Sequence, residues 1–281
     1  MKVVYDKEEG IASVVGTLFA LMLFITLLST FVTQYVPVYM KTNEEQHDMQ
    51  VLSQFSQLRA EIDMLTITND LNYTTYAPIT LGASGIPLFA QQTIGELIIF
   101  PFTQYSSSYM NVSFKYGGIW LNQTAGGSIE FIAPNRYYIP ESFIYFNGAL
   151  IRTNLAQNAS VLVVGSDFSA TNVSGSISLT FVIQHIYGTS GTVTGTDTRG
   201  INMTLFATQK NVYPLTSGNV TLSFYTTFNP TILNSYNSTA HSNNIYPTYI
   251  KLSKPTGLAL VFKKVISITV INVYLDVSVS Q

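Results

Sequence analysis

The thirty residues from Ile11 to Met40 carry no charged side chain. At 1.5 Å of rise per residue, the purer stretch Ile11–Val36 alone makes a helix longer than the roughly 30 Å hydrocarbon core of a bilayer. Leu18, Phe19, Leu21, Leu23, Phe24, Ile25, Leu27, Leu28 and Phe31 set bulky apolar groups around the whole circumference of that helix. A single stripe would mark a surface helix, whereas apolar groups on every side call for lipid or deep burial. The expectation is one transmembrane helix, 11–40, with Ile11, Leu18, Phe24, Leu28 and Phe31 in the span. A short N-terminal segment, 1–10, precedes it.

A cleaved secretory signal is the competing reading. The segment Met1–Gly10 holds Lys2 and Lys7 but also Asp6, Glu8 and Glu9, so it lacks a basic character, and the apolar run exceeds an ordinary signal core. No small-x-small site closes the run before Gln34-Tyr35-Val36-Pro37, so retention is expected. Cleavage between Gly10 and Ile11 would leave the helix attached. Pro37 cannot donate a backbone hydrogen bond and predicts a kink or break near Val36, with Tyr35 and Tyr39 placed for an interfacial aromatic belt.

Beyond the span, Met49, Leu52, Phe55, Leu58, Ile62 and Leu65 recur at spacings of three and four, which predicts an amphipathic juxtamembrane helix over 41–68. Glu44, Glu45, Asp48, Arg59, Glu61 and Asp63 fall mostly off that stripe and read as its wet sides. The apolar stripe either covers the flank of a following domain or packs against neighbouring subunits, and the first is favoured.

From Tyr73 onward, short β-branched and aromatic runs alternate with Gly, Asn, Pro and Ser clusters at spacings of roughly a dozen residues. Strands are expected at Glu96–Phe100, Asn111–Lys115, Ser128–Ile132, Ser160–Val164, Ser176–Ile186, Ile201–Ala207, Asn219–Phe228, Tyr249–Leu252, Leu258–Lys263 and Val265–Val279. No helix-length periodicity stands out. The fold class is mainly β with an N-terminal α-helix: an antiparallel β-sandwich-like ectodomain, 70–281, on the long helix. Asn147-Gly148 is a type I′ turn signal that would pair Phe143–Phe146 with Ala149–Arg152, and Arg136 beside Tyr137 and Tyr138 suits a cation–π surface. The glycines of Gly188–Gly200 suggest a hairpin.

Chemistry-bearing motifs are sparse. His47, His185 and His241 lack partners at ligand spacing. His47 reads as an ordinary helix-surface residue and His185 as a strand-end rim residue. No metal or cofactor is implied. Glu130 and Glu141 are the one conceivable glycosidase pair, with little to favour it. The net charge is −2 and no basic cluster occurs, which argues against nucleic acid. There is no cysteine, so disulfides are ruled out as staples. Eight of nineteen asparagines sit in Asn-x-Ser/Thr sequons: Asn72, Asn111, Asn122, Asn158, Asn172, Asn202, Asn219 and Asn237. Chance gives about four, so the twofold excess favours an exported surface open to glycosylation, although a Ser/Thr/Asn-rich β protein produces such matches without any sugar.

The run Gly10-Ile11-Ala12-Ser13-Val14-Val15-Gly16, the apolar stretch, Val36-Pro37, Glu45-Gln46-His47-Asp48-Met49, Gln54-Phe55-Ser56-Gln57-Leu58 and the segment Tyr145-Phe146-Asn147-Gly148-Ala149 together resemble uncharacterised archaeal pilin-like surface proteins. The resemblance implies an N-in, C-out protein of the cell membrane with a β-rich extracellular domain; it does not imply an enzymatic activity, and the chain is expected to be non-enzymatic. Its partners would be the lipid bilayer, copies of itself or other pilin-like subunits, and envelope glycans. Two positions depart from the pattern: Glu9 stands before Gly10 where a basic residue is usual, and the fifth residue from Ile11 is Val15 rather than glutamate. The alternative is a membrane-tethered polysaccharide-binding module or hydrolase, in which Trp120, Tyr137, Tyr138 and Tyr145 would line a groove with Glu130 or Glu141.

Overall fold

The computed structural model describes residues 7–103, 109–225, 229–252 and 257–280. Helix α1 (Lys7–Thr30), a π-helical turn (Phe31–Tyr35) and helix α2 (Val36–Thr68) run as one uninterrupted rod. At the place where a kink or break was expected, beside Val36-Pro37, the helix continues through a π turn. In a regular α-helix the ring of Pro37 would meet the carbonyl of Thr33. Here the Val36 N–H donates to the Phe31 carbonyl, five residues back, and the widened turn takes up the proline without ending the helix. Asn69 ends α2 in the left-handed conformation (φ 54°), its N–H donating to the Leu65 carbonyl.

Among the described residues, fourteen strands form two sheets. Six of them, β2 (Gly95–Phe100), β5 (Ser128–Ala133), β6 (Glu141–Phe146), β7 (Ala149–Asn154), β8 (Ala159–Val164) and β11 (Gly191–Gly195), make an antiparallel sheet in the order β11-β2-β5-β6-β7-β8. The other eight are β1 (Thr74–Thr80), β3 (Tyr109–Tyr116), β4 (Ile119–Gly126), β9 (Phe168–Val173), β10 (Ser176–Gly188), β12 (Thr198–Tyr225), β13 (Thr248–Lys251) and β14 (Gly257–Val279). Their pairings run β12–β3–β4–β10–β14 and return to β12, so the larger sheet curls upon itself.

The mainly-β fold with a leading helix is therefore present, with four local differences. Strand β10 pairs in parallel with β14 and meets β4 in parallel at His185 and Gly126, so the sheet is mixed. The runs 258–263 and 265–279 are one strand bent at Lys264 (φ 60°), and it is internal, held between β10, β12 and β13. Gly188–Gly200 is no hairpin, because β11 leaves the large sheet and pairs with β2 of the small one. A helix, α3 (Asn229–Ser242), occupies a stretch whose Asn, Ser, Thr and Pro content masks it. Residues 226–228, the end of the expected strand Asn219–Phe228, lie outside the described residues.

Two apolar cores result. One gathers Ile232, Leu233, Tyr236 and Ala240 of α3 against Phe181, Phe224 and Phe262 of the large sheet. The other is built around α2: Val51, Phe55, Leu58, Ile62 and Leu65 pack on Ala77 and Ile79 of β1, Phe143 and Tyr145 of β6, and Val273, Leu275 and Val277 of β14. The amphipathic helix thus covers the flank of the β domain. Its stripe is turned slightly from the expected one, for Met49 is 56% exposed and Val51 is fully buried.

Candidate functional site: a bare apolar helix clamped to the β domain

Residues 13–30 of α1 are exposed at every position, Leu18, Phe24 and Leu28 among them. The hydroxyls of Thr17, Thr26, Thr30 and Thr33 donate to carbonyls three or four residues back at 2.7–3.0 Å. A helix whose polar side chains are satisfied internally suits a medium that offers no hydrogen bonds. The helix is long and apolar enough to cross a membrane. At Gly10 and Ile11 the backbone is helical, but their side chains lie outside the described residues. Phe31, Tyr35 and Tyr39 follow as a stacked ladder, with ring centroids 4.9 and 5.9 Å apart. Val36 and Met40 are the first residues of the rod to be buried.

Directly above Met40 lies a polar part of the helix–domain interface, and its residues were read from the sequence as solvated. Glu44, Asp48 and His47 were expected on the wet side, yet all three are buried, Glu44 completely. The Glu44 carboxylate accepts four hydrogen bonds. Thr93 Oγ1 (2.6 Å) and the Arg136 N–H (3.1 Å) donate to Oε1, and the N–H groups of Tyr137 (2.8 Å) and Tyr138 (2.7 Å) donate to Oε2. Successive backbone N–H groups of the β5–β6 loop thus form a nest for a carboxylate. One turn on, Asn135 Nδ2 donates to Asp48 Oδ2 at 2.6 Å and also to the Ile139 carbonyl at 3.0 Å. Burial raises the Asp48 carboxyl above the ordinary range, opposed by its contacts with His47 and Asn135. His47 Nε2 lies 2.9 Å from the Thr80 carbonyl and so carries the proton. Arg136, Tyr137 and Tyr138, for which a cation–π surface was the less favoured of two readings, serve here through their backbone.

A second clamp lies further up the helix. Arg59 reaches Asp167 at 3.0 Å and Asp63 at 3.4 Å. Burial, and then the neighbouring Asp167 charge, push the Asp63 carboxyl up to about 6. The Asn147-Gly148 turn is formed as expected, both residues having positive φ (47° and 77°) and closing β6 onto β7. The Asn147 side chain is buried as well. Its Oδ1 accepts from the Gln184 N–H at 2.8 Å, and Tyr145 donates its hydroxyl to Gln184 Oε1 at 2.6 Å. The hairpin therefore joins the small sheet to the large one.

The groove proposed for a polysaccharide does not assemble. Tyr145 is fully buried, Trp120 stands 62% exposed on β4 of the other sheet, and Tyr137 lies on the β5–β6 loop. Glu130 pairs with Ile144, whereas Glu141 is three residues away on the same strand, so the two carboxylates project from opposite faces of the small sheet. Glu141 is further held by two 2.7 Å bonds from Arg152. His185 is not a rim residue: it is buried and stacks on Tyr274 with centroids 4.6 Å apart. His241 lies in the last turn of α3 against Tyr246.

None of the eight sequon asparagines is buried. Asn72, Asn122, Asn158 and Asn219 are exposed, while Asn111, Asn172, Asn202 and Asn237 are half-buried. Asn72 and Asn158 also hold positive φ (63° and 50°). The signal for the clamp was present in the sequence: Met40, Glu44, Asp48, Val51 and Phe55 follow one another at spacings of four, four, three and four, so the acids lie on the apolar stripe itself. No family model, curated protein or solved structure matches the chain.

Proposed function

We propose that this is a non-enzymatic cell-surface protein held by one N-terminal transmembrane helix, with its N-terminus cytoplasmic and its β domain outside. In this reading it is a pilin-like structural or adhesive component of an archaeal envelope or filament. The observation that carries the proposal is the mechanical continuity between anchor and domain. Residues 13–30 of the rod are exposed at every position, whereas α2 packs on both sheets and is clamped to their loops through Glu44, Asp48 and Arg59. A tether that only localised an independent module would need no such joint, since a flexible linker serves as well. A rigid joint fixes the orientation of the domain relative to the membrane, or relative to neighbouring helices in a filament. The accessible sequons support an exported, glycosylated exterior.

The test is the N-terminal sequence and intact mass of the protein isolated from its native membrane. A start at Ile11 with excess mass supports a processed, glycosylated filament subunit. A start at Met1 supports a permanently anchored envelope protein. A protein recovered without residues 11–36 would defeat both forms of the reading.

A further inference from the structure

The segment between α2 and β2 contains a feature that neither core uses. Residues 71–95 carry no charge, and within them Ala83 to Thr93 fold back as a narrow stalk. Ala83 and Thr93 exchange backbone hydrogen bonds at 3.2 Å, and Ile86 and Ala90 do so at 2.9 Å. Gly85 is required in this stalk, because a Cβ there would sit 2.5 Å from the Ala90 carbonyl oxygen. The stalk is rooted on the helix by Thr93, which donates to Glu44, and by Asn43 Nδ2, which donates to the Ser84 carbonyl at 3.0 Å.

Its tip is Pro87-Leu88-Phe89. Leu88 is wholly exposed (101%) and holds φ +68°, a conformation uncommon for a bulky residue. Phe89 is 41% exposed, and its ring lies 5.1 Å from that of Phe31 in an edge-to-face contact. The stalk therefore runs from the level of Glu44 back down to that of Phe31, about 20 Å along the rod toward the apolar end.

We propose that the Pro87-Leu88-Phe89 tip is a second membrane contact, inserted into the outer lipid interface beside the helix. The inference rests on the transmembrane reading of α1. A hydrocarbon core takes about 20 helical residues, and the uncharged window is Ile11–Met40. Wherever the core sits in that window, Phe31 is at its outer edge or within it, and the ring packed on Phe31 shares that depth. The tip is continuous with the apolar span, carries no charge and is stiffened by its own ladder, so it enters the interface already ordered. The joint fixes the domain to the rod, but a lone rod can still turn about its own axis and tilt in the bilayer, and a second contact removes that freedom. Phe31, Tyr35, Tyr39 and Phe89 together form the aromatic layer expected at that depth.

The absence of cysteine makes the test direct. The full chain is reconstituted into phosphatidylcholine vesicles as three single-cysteine variants carrying an NBD fluorophore: Leu88→Cys, Leu23→Cys in the span and Ile67→Cys. Ile67 is 83% exposed and lies about 55 Å along the rod from Phe31. Doxyl-labelled phosphatidylcholine should quench the label at Leu88 several-fold more than the label at Ile67, with emission shifted to the blue. Quenching at Leu23 but not at Leu88 would overturn the proposal while leaving the transmembrane reading intact. Quenching at neither would remove both. A Leu88 label shielded from iodide, unquenched by doxyl lipid and transferring energy between copies would assign the tip to a second copy of this chain, which also overturns the lipid contact.

Discussion

Removing the Glu44 carboxylate should open the joint between anchor and domain. In Glu44→Ala the N–H groups of Arg136, Tyr137 and Tyr138, together with the Thr93 hydroxyl, lose their acceptor. A buried donor left unpaired costs about 1–3 kcal/mol. Three such N–H groups would sum to about 3–9 kcal/mol, but Arg136 and Tyr137 lie on an exposed loop that can swing to water, so the lower end, about 3 kcal/mol, applies. Glu44→Gln keeps one good acceptor and turns an amide donor toward the Arg136 N–H, which should cost about 1–2 kcal/mol. Amide hydrogen exchange of the full chain in detergent micelles reads the effect locally. Protection at residues 136–138 should fall roughly a hundredfold in Glu44→Ala, since each 1.4 kcal/mol is tenfold, and about tenfold in Glu44→Gln. Protection that stays within about threefold of wild type in both variants would refute the reasoning, because the nest would then be held by something other than the carboxylate.

Other outcomes follow from the same geometry. Asp63 has a folded-state pKa of about 6, above its ordinary value of 3.8, so its protonation favours the fold. That contribution is complete below the ordinary value and is lost as the pH rises through about 6. Asp63→Asn should therefore raise stability by about 1 kcal/mol at pH 7.5, the figure being discounted because the side chain is a third exposed, and change little below pH 4, as melting curves of both proteins would show. Gly95→Ala places a methyl group 2.0 Å from the Leu81 carbonyl oxygen and 2.5 Å from the Phe131 ring, so chemical denaturation should report a loss of about 3 kcal/mol. Deleting Val265–Gln281 takes the internal partner of β10 and β12 from the large sheet, and far-UV circular dichroism should show an unfolded domain; a folded, monomeric product would contradict the pairing.

What could be read from the sequence divides by the range of the interaction. The apolar rod, the Asn147-Gly148 hairpin and most strands rest on local chemistry: hydropathy, turn conformation and alternation. Asn69, in the left-handed region, ends the helix at Thr68, as local capping rules allow. The place of the acids on the apolar stripe was legible, but their partners were not: three of the four donors to Glu44 are backbone N–H groups ninety-odd residues away, and a backbone donor leaves no trace in residue type. Glu44 and Asp48 therefore looked like solvated acids until the loop was seen to close on them. Helix α3 escaped for the opposite reason. Its composition favours a loop, and only Ile232, Leu233, Tyr236 and Ala240, which meet the core, give its stripe away. The parallel β10–β14 pairing brings together residues far apart in sequence, and nothing in a strand's own alternation specifies the direction of its neighbour.

The central claim is a single span with the β domain on the outer side, and side-specific labelling tests it most directly. Lys2→Cys and Ala156→Cys, made separately in the full chain, are treated in intact cells with a membrane-impermeant maleimide, before and after permeabilisation. The account predicts that the A156C variant, whose site is exposed at the β7–β8 turn, labels at once, and that the K2C variant, in chains that keep residues 1–10, labels only after permeabilisation. A K2C variant that labels in intact cells while A156C does not would reverse the orientation. Equal labelling of both, with the protein free of the membrane fraction, would contradict the span itself.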